Sequence, residues 1–158
     1  MSWKSPESWN EPSPQHWLFP NLGIDGNLNT QTSNSLPAQS WSTYLYLLPR
    51  VNMEYVLSDK IRFYSDSSDY ISIVDIGILT EGGWQNVYTG GYNKGEWVEK
   101  PIPNGPVKIS QIRIRFYSEC EESETAYIQE FQYNHLASRS LVDGSLARRN
   151  LIAGGLIR

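Results

Sequence analysis

Seven short runs rich in β-branched and aromatic residues constrain this chain more than any other feature. They read STYLYLL (42–48), DKIRFYS (59–65), YISIVDIGIL (70–79), WQNVYTG (84–90), EWVEKPI (96–102), VKISQIRIRFYS (107–118) and AYIQEFQY (126–133). Turn-forming pieces separate them: SDSSD, TEGG, GGYNKG and PNGP. β-Branched and aromatic side chains fit a pleated, half-buried surface, while Gly, Pro, Asn and Asp supply the geometry that reverses a chain. Short strands spaced this way predict an all-β fold, an antiparallel sandwich or jelly roll. No segment shows a convincing amphipathic helical period.

Strand alternation then assigns faces. Ile61 and Phe63 share one face of their run, as do Ile112, Ile114 and Phe116 of theirs. Arg62, Tyr64, Arg113, Arg115 and Tyr117 fall on the opposite faces. KIRFYSD (60–66) and RIRFYSE (113–119) nearly repeat, but the likeness stops there, so two strands meet one packing problem in the same way. In YISIVDIGIL, Ile71 and Ile73 are in one phase and Ile76 and Ile78 in the other, which predicts a β-bulge at Val74–Asp75.

The two ends differ from this middle. Residues 1–22 hold Pro6, Pro12, Pro14 and Pro20 together with Trp3, Trp9 and Trp17. Proline at that density excludes a regular helix and predicts an extended arm whose Trp rings pack over the domain or over a partner. Residues 23–135 form the predicted domain, and residues 136–158 a tail. In SLVDGSLARRNLIAGGLIR (140–158), Leu141, Leu146, Leu151 and Leu156 recur at every fifth position, a period of neither helix nor strand. The net charge is −4 overall and +3 over residues 139–158, which leaves −7 on the remainder.

An acidic body argues against a nucleic-acid partner, while a basic tail suits an acidic neighbour. Side-chain burial alone does not offset the entropy of ordering such a tail, so its backbone needs partners too. Three readings stand: a flexible tail, a tail folded back on its own domain, or one inserted into a neighbouring subunit or homo-oligomeric junction. The last is favoured, with Leu141, Leu146, Arg148, Arg149, Leu151 and Leu156 as docking residues. The five-residue step also resembles a pentapeptide-repeat coil, although four steps make only one turn of it.

Cys120 is the single cysteine, so neither an internal disulfide nor a cysteine metal knuckle is available. No run approaches a membrane span or a signal peptide, and synthesis in the cytoplasm without classical secretion is expected. Nucleophile elbows, zinc-protease helices and phosphate loops are absent from the sequence. With two His and one Cys, nucleophile–base pairs are few, and ECEESET (119–125) reads as a solvated loop. The chain is therefore expected not to be an enzyme.

Four segments in order resemble the discoidin domain, the galactose-binding-like jelly roll of coagulation-factor C domains and many carbohydrate-binding modules. IDGNLNTQTS (24–33) is similar to the family's early Asp-Gly-Asp-x-x-Thr loop, and QSWSTYLYLL (39–48) to its Trp-containing strand. GGWQNVYTG (82–90) resembles its Gly-x-Trp-x-x-Val hairpin, and KISQIRIRFYS with AYIQEFQY its closing strands, the second carrying Glu130. The likeness spans roughly Gly23 to Tyr133. PRVNMEYVLSD (49–59) is an extra stretch, and no Trp follows the loop Thr.

The resemblance implies a structural calcium ion held by Asp25, Asn27, Thr30 and Glu130 with backbone carbonyls. Asn27 in place of the family's second acid removes a charge and lowers the expected affinity. An ordinary turn capped by Asp25 is the alternative for Asp25–Asn27. It also implies glycan binding on loops at one end of the sandwich. Candidates are Tyr92, Asn93, Lys94 and Trp97, with Trp84 read mainly as packing and Tyr92 as exposed on its Gly-flanked loop. His16 and His135 do not place the family's sugar-contacting His–Arg–Asn group.

The combination of a lectin-like domain and a sticky tail resembles virion accessory proteins, such as capsid decoration or fibre proteins. A non-catalytic structural and adhesion role in such an assembly, at a virion or particle surface, is expected, with a cell-surface glycan as ligand. The alternative is a free calcium-dependent lectin or the binding module of a secreted glycosidase.

Overall fold

The structure, a computed structural model, describes residues 2–12 and 15–137. The docking residues expected in the tail, Leu141 through Leu156, lie outside them. Two antiparallel sheets pack face to face. The first runs β1 (Ser2–Lys4), β13 (Glu130–Leu136), β6 (Val56–Tyr64), with β9 (Trp97–Pro101) and β10 (Val107–Ile109) both along the far side of β6. The second runs β2 (Ser8–Asn10), β5 (Leu45–Leu48), β11 (Gln111–Ser118), β7 (Ile71–Thr80), β8 (Gly83–Gly90), with β4 (Ser40–Trp41) also on β11. A two-stranded ribbon of β3 (Thr32–Leu36) and β12 (Glu124–Ile128) completes the sandwich.

The core lies between the sheets. Ile61, Phe63, Ile112, Ile114, Phe116 and Phe131 are fully buried, while Arg62, Tyr64, Arg113, Arg115 and Tyr117 lie half-buried on the outer faces. The alternation expected from sequence therefore holds. Burying such side chains contributes about 1.5–3 kcal/mol each.

The strand readings need three corrections. VKISQIRIRFYS is two strands in different sheets: β10 pairs with β6 and β11 with β7, and the chain changes sheet at Ser110, whose N–H donates to the Leu79 carbonyl (3.0 Å). AYIQEFQY likewise divides at Gln129, whose N–H donates to the Tyr64 carbonyl (2.9 Å). In both runs the inward phase slips at the break, from Ile109 to Ile112 and from Ile128 to Phe131. The bulge in β7 falls at Ser72 rather than Val74–Asp75, because Tyr117 pairs with Ile73 and Ser118 with Ile71. Val74, Ile76 and Ile78 then share the core face.

The proline-rich start is built into both sheets. β1 pairs with β13 and β2 with β5, and Trp17 is fully buried with its indole N–H donating to the Thr43 carbonyl (3.1 Å). Glu11 fastens this segment, accepting from the main-chain N–H of Trp17 (2.9 Å) and His16 (3.0 Å) and from the Thr43 hydroxyl (2.7 Å). Proline-rich backbone lacks ladder donors, so a buried carboxylate takes over part of that role.

Candidate functional site: an end loop and a crossover groove

Two places gather residues able to bind a ligand. The first is the loop 24–30. The Asp25 carboxylate accepts from the Asn27 N–H (3.0 Å) and the Asn27 side-chain oxygen from the Asn29 N–H (2.8 Å), two successive Asx turns. Gly26, at φ +77, supplies the left-handed step between them. Glu130 reaches the same loop: its carboxylate accepts from the Gly26 N–H (2.8 Å) and from the Ser5 hydroxyl. Burial pushes the Glu130 carboxyl above its ordinary range, against the opposing hydrogen bonds from Ser5 and Gly26.

Three acceptor oxygens surround the Thr30 hydroxyl: Asp25 Oδ2 at 2.5 Å, the Asn27 carbonyl at 3.1 Å and the Leu22 carbonyl at 3.4 Å. One hydroxyl proton cannot serve all three, so the cluster is rich in oxygen lone pairs and poor in hydrogens. Such an all-oxygen set is the chemistry a hard cation uses. Asn27 faces this cluster through its carbonyl, since its side chain is spent on Asn29. Among the described residues no three His, Cys, Asp or Glu side chains gather as metal ligands, so neutral oxygens dominate the set.

The second place is a groove of about 410 Å³ where the chain crosses from β8 to β9. Asn93, Glu96, Trp97 and Lys100 line it beside Tyr92 and Val98. Asn93 donates from its side-chain amide to Glu96 (3.3 Å), and the Lys100 ammonium lies 3.9 Å over the Tyr88 ring. Trp97 is held from the outer side: the Arg62 guanidinium sits between it (4.1 Å) and Trp3 (4.3 Å), and Gln132 accepts from Arg62. Trp97 also meets Tyr64 edge to face at 5.8 Å. Its neighbour across β6, Tyr64, pairs in turn with Glu130, so one cross-strand row joins the groove to the end loop.

The five glycan candidates separate. Asn93 and Trp97 line the groove. Tyr92, expected to be exposed, is turned inward: its ring packs on Phe63 (5.4 Å) and Phe116 (5.7 Å), plugging the open end of the sandwich. Burial pushes its hydroxyl up to about 12. The Lys94 ammonium lies 4.0 Å over that ring, which covers the remaining side. Trp84 stands at the opposite end of β8, on the outer face of the second sheet. Glu96 and Lys100, which complete the groove, escaped the sequence reading because only the β8–β9 crossover brings them beside Asn93.

One further charged group was unforeseen. Asp75, buried in mid-strand, accepts from Thr89 (2.7 Å), Tyr44 (2.8 Å) and Arg115 (2.9 Å). Burial opposes its ionisation, but these three hydrogen bonds outweigh it and hold the carboxyl below its usual range.

No protein-family model and no curated protein sequence matches the chain. Solved structures do. The C-terminal domain of a chitobiase from Bacteroides fragilis superposes with a TM-score of 0.64 at 15% identity, covering 85% of this chain and 98% of that one. The family 32 carbohydrate-binding module of AlyQ, in complex with 4,5-unsaturated mannuronic acid, gives 0.60 at 14%, covering 86% and 100%. The family 32 module of Clostridium perfringens NanJ, in complex with galactose, gives 0.57 at 17%, covering 80% and 90%. Among the described residues no helix is long and apolar enough to cross a membrane. The two packed antiparallel sheets and these superpositions show that the chain has the discoidin-like, galactose-binding-like jelly-roll fold.

Proposed function

We propose that this chain is a non-catalytic carbohydrate-binding domain whose glycan lies in the groove between Asn93 and Lys100. The groove itself carries the reading. Its volume is within the ordinary range of ligand sites, and it combines an immobilised aromatic ring, Trp97, with amide, carboxylate and ammonium groups suited to sugar hydroxyls. The ligands bound by the AlyQ and NanJ modules, 4,5-unsaturated mannuronic acid and galactose, support a sugar as the ligand class.

A calcium ion in the loop 24–30 belongs to the same proposal. Asp25, Thr30 and the carbonyls of Leu22 and Asn27 would hold it, with Glu130 bracing the loop. The ion would fix the loop rather than take part in chemistry.

The anchoring role rests on the tail. Residues 136–158 dock the domain onto an assembly or onto other copies, in the manner of a decoration or fibre protein at a particle surface. A second reading, the binding module of a secreted glycosidase, is favoured by the superposition on the C-terminal domain of a chitobiase. Comparing the particle size of the full chain with residues 1–138 separates the two. A larger full-length species supports anchoring, and equal monomers support the module.

A glycan array probed with the full chain in calcium tests the binding claim. Hits lost on Trp97→Ala and Asn93→Ala are expected. An array without hits, or hits indifferent to both variants, contradicts it.

A further inference from the structure

We propose that the outer face of the second sheet is a separate ligand surface, built to take a carboxylate-bearing polysaccharide chain. Planar groups alternate along it: Trp41, Arg115, Tyr44, Arg113, Trp84. Each guanidinium lies between two rings, Arg115 at 4.3 Å from Trp41 and 4.5 Å from Tyr44, Arg113 at 4.6 Å from Tyr44 and 4.3 Å from Trp84. Tyr46 flanks the row, edge to face with Trp84 at 5.7 Å.

The two arginines are not equivalent. Arg115 is neutralised by Asp75, which accepts from its Nε at 2.9 Å. Arg113 has no carboxylate beside it among the described residues, and its buried Nε has no hydrogen-bond partner. The backbone makes room for it. Arg113 pairs with Gly77 across β11 and β7, and a Cβ at Gly77 would stand 3.2 Å from Nε. Glycine in mid-strand weakens a sheet, so its presence where a side chain must lie flat marks that position as a cradle. The face thus carries two guanidinium groups against one carboxylate, and the uncompensated cation is held between aromatic planes.

An unpaired guanidinium fork matches a carboxylate bidentately, and Arg between rings is pre-organised for that contact. The flanking rings of Tyr44 and Trp84 offer flat apolar surface, Trp84 being 37% exposed, on which the C–H face of a sugar ring stacks. An acidic peptide supplies carboxylates but no flat C–H ring faces for Tyr44 and Trp84, and β11, an interior strand, has no free edge to which its backbone could add. A linear polyuronate meets both demands, carboxylate and ring face, along one direction. This surface is independent of the groove near Trp97.

The test is affinity electrophoresis of the full chain through gels containing polygalacturonate or alginate, the same polymers after carboxyl reduction, or poly-glutamate. Retardation by a polyuronate, lost on carboxyl reduction and weakened at least about tenfold by Arg113→Gln, is expected. Glycan-array binding through the groove should be unchanged in that variant. Exposed Trp84→Ala, which leaves the core intact, should also weaken retardation and decides the matter if Arg113→Gln does not fold. Absence of retardation, equal retardation by the reduced polymer, stronger retardation by poly-glutamate, or indifference to the folded variants overturns the proposal.

Discussion

Glu130, on the last strand of the first sheet, accepts a 2.8 Å hydrogen bond from the main-chain N–H of Gly26, 104 residues earlier. That contact clasps the end loop to the sandwich and places the oxygen cluster around Thr30 beside a rigid strand. Replacing the buried Glu130 by Ala removes the acceptor of the Gly26 N–H and the Ser5 hydroxyl and should cost about 1–3 kcal/mol in urea unfolding. A cost below the error of the measurement would show that the clasp is not needed.

Calcium binding at that cluster predicts a ligand-linked rise in stability. Millimolar calcium should raise the melting temperature, at about 2–4 °C per kcal/mol for a chain of this size, and a chelator should reverse it. Asp25→Ala should abolish the response. A melting temperature indifferent to calcium in the unaltered chain would remove the ion from the account.

The fully buried Trp17 makes the proline-rich start part of the core. Trp17→Ala is expected to cost about 3–5 kcal/mol, as other large core truncations do. Equilibrium denaturation giving less than about 1 kcal/mol would mean that the start is only draped over a self-sufficient sandwich.

What the sequence revealed follows from what each residue type dictates locally. The inward sets Ile61/Phe63 and Ile112/Ile114/Phe116 were legible because a period of two leaves no alternative once one face is buried. The sheet changes at Ser110 and Gln129 were written in the same rows as phase slips, but a slip reads equally as a bulge until the partner strand is known. Of the four calcium candidates, Asp25 and Thr30 meet in one oxygen cluster, Asn27 turns its side chain to Asn29, and Glu130 reaches the loop through the Gly26 N–H. Tyr92 was misjudged because a Gly-flanked loop suggests exposure, while the gap between Phe63 and Phe116 demands an aromatic plug. Asp75 looked like a bulge residue, since its partners Tyr44, Thr89 and Arg115 come from three other segments.

Asp75 yields an acid-side prediction. Its carboxyl is held below the usual range in the folded chain, so its contribution is present above the ordinary Asp pKa of about 4 and is lost as pH falls through the lowered value. Asp75→Asn should lower stability by about 2 kcal/mol at neutral pH and flatten the acid limb of the stability profile. An unchanged acid limb would contradict the network.

Tyr92 yields the alkaline counterpart. Its hydroxyl is raised to about 12, so its neutral form stabilises the fold fully below about pH 10, the unfolded value. That contribution disappears as pH rises through about 12. Tyr92→Phe should reduce the loss of stability across this window, read by circular dichroism against pH. An identical alkaline profile would mean that the ring is not sealed in the sandwich end.

The central claim is that the groove at the β8–β9 crossover holds a sugar. Titrating the isotope-labelled full chain with a neutral oligosaccharide identified on the array, and following amide chemical shifts, tests it most directly. Saturable shifts concentrated at Gly91, Asn93, Glu96, Trp97 and Lys100 are expected. Saturable shifts that leave these five residues unmoved would contradict it.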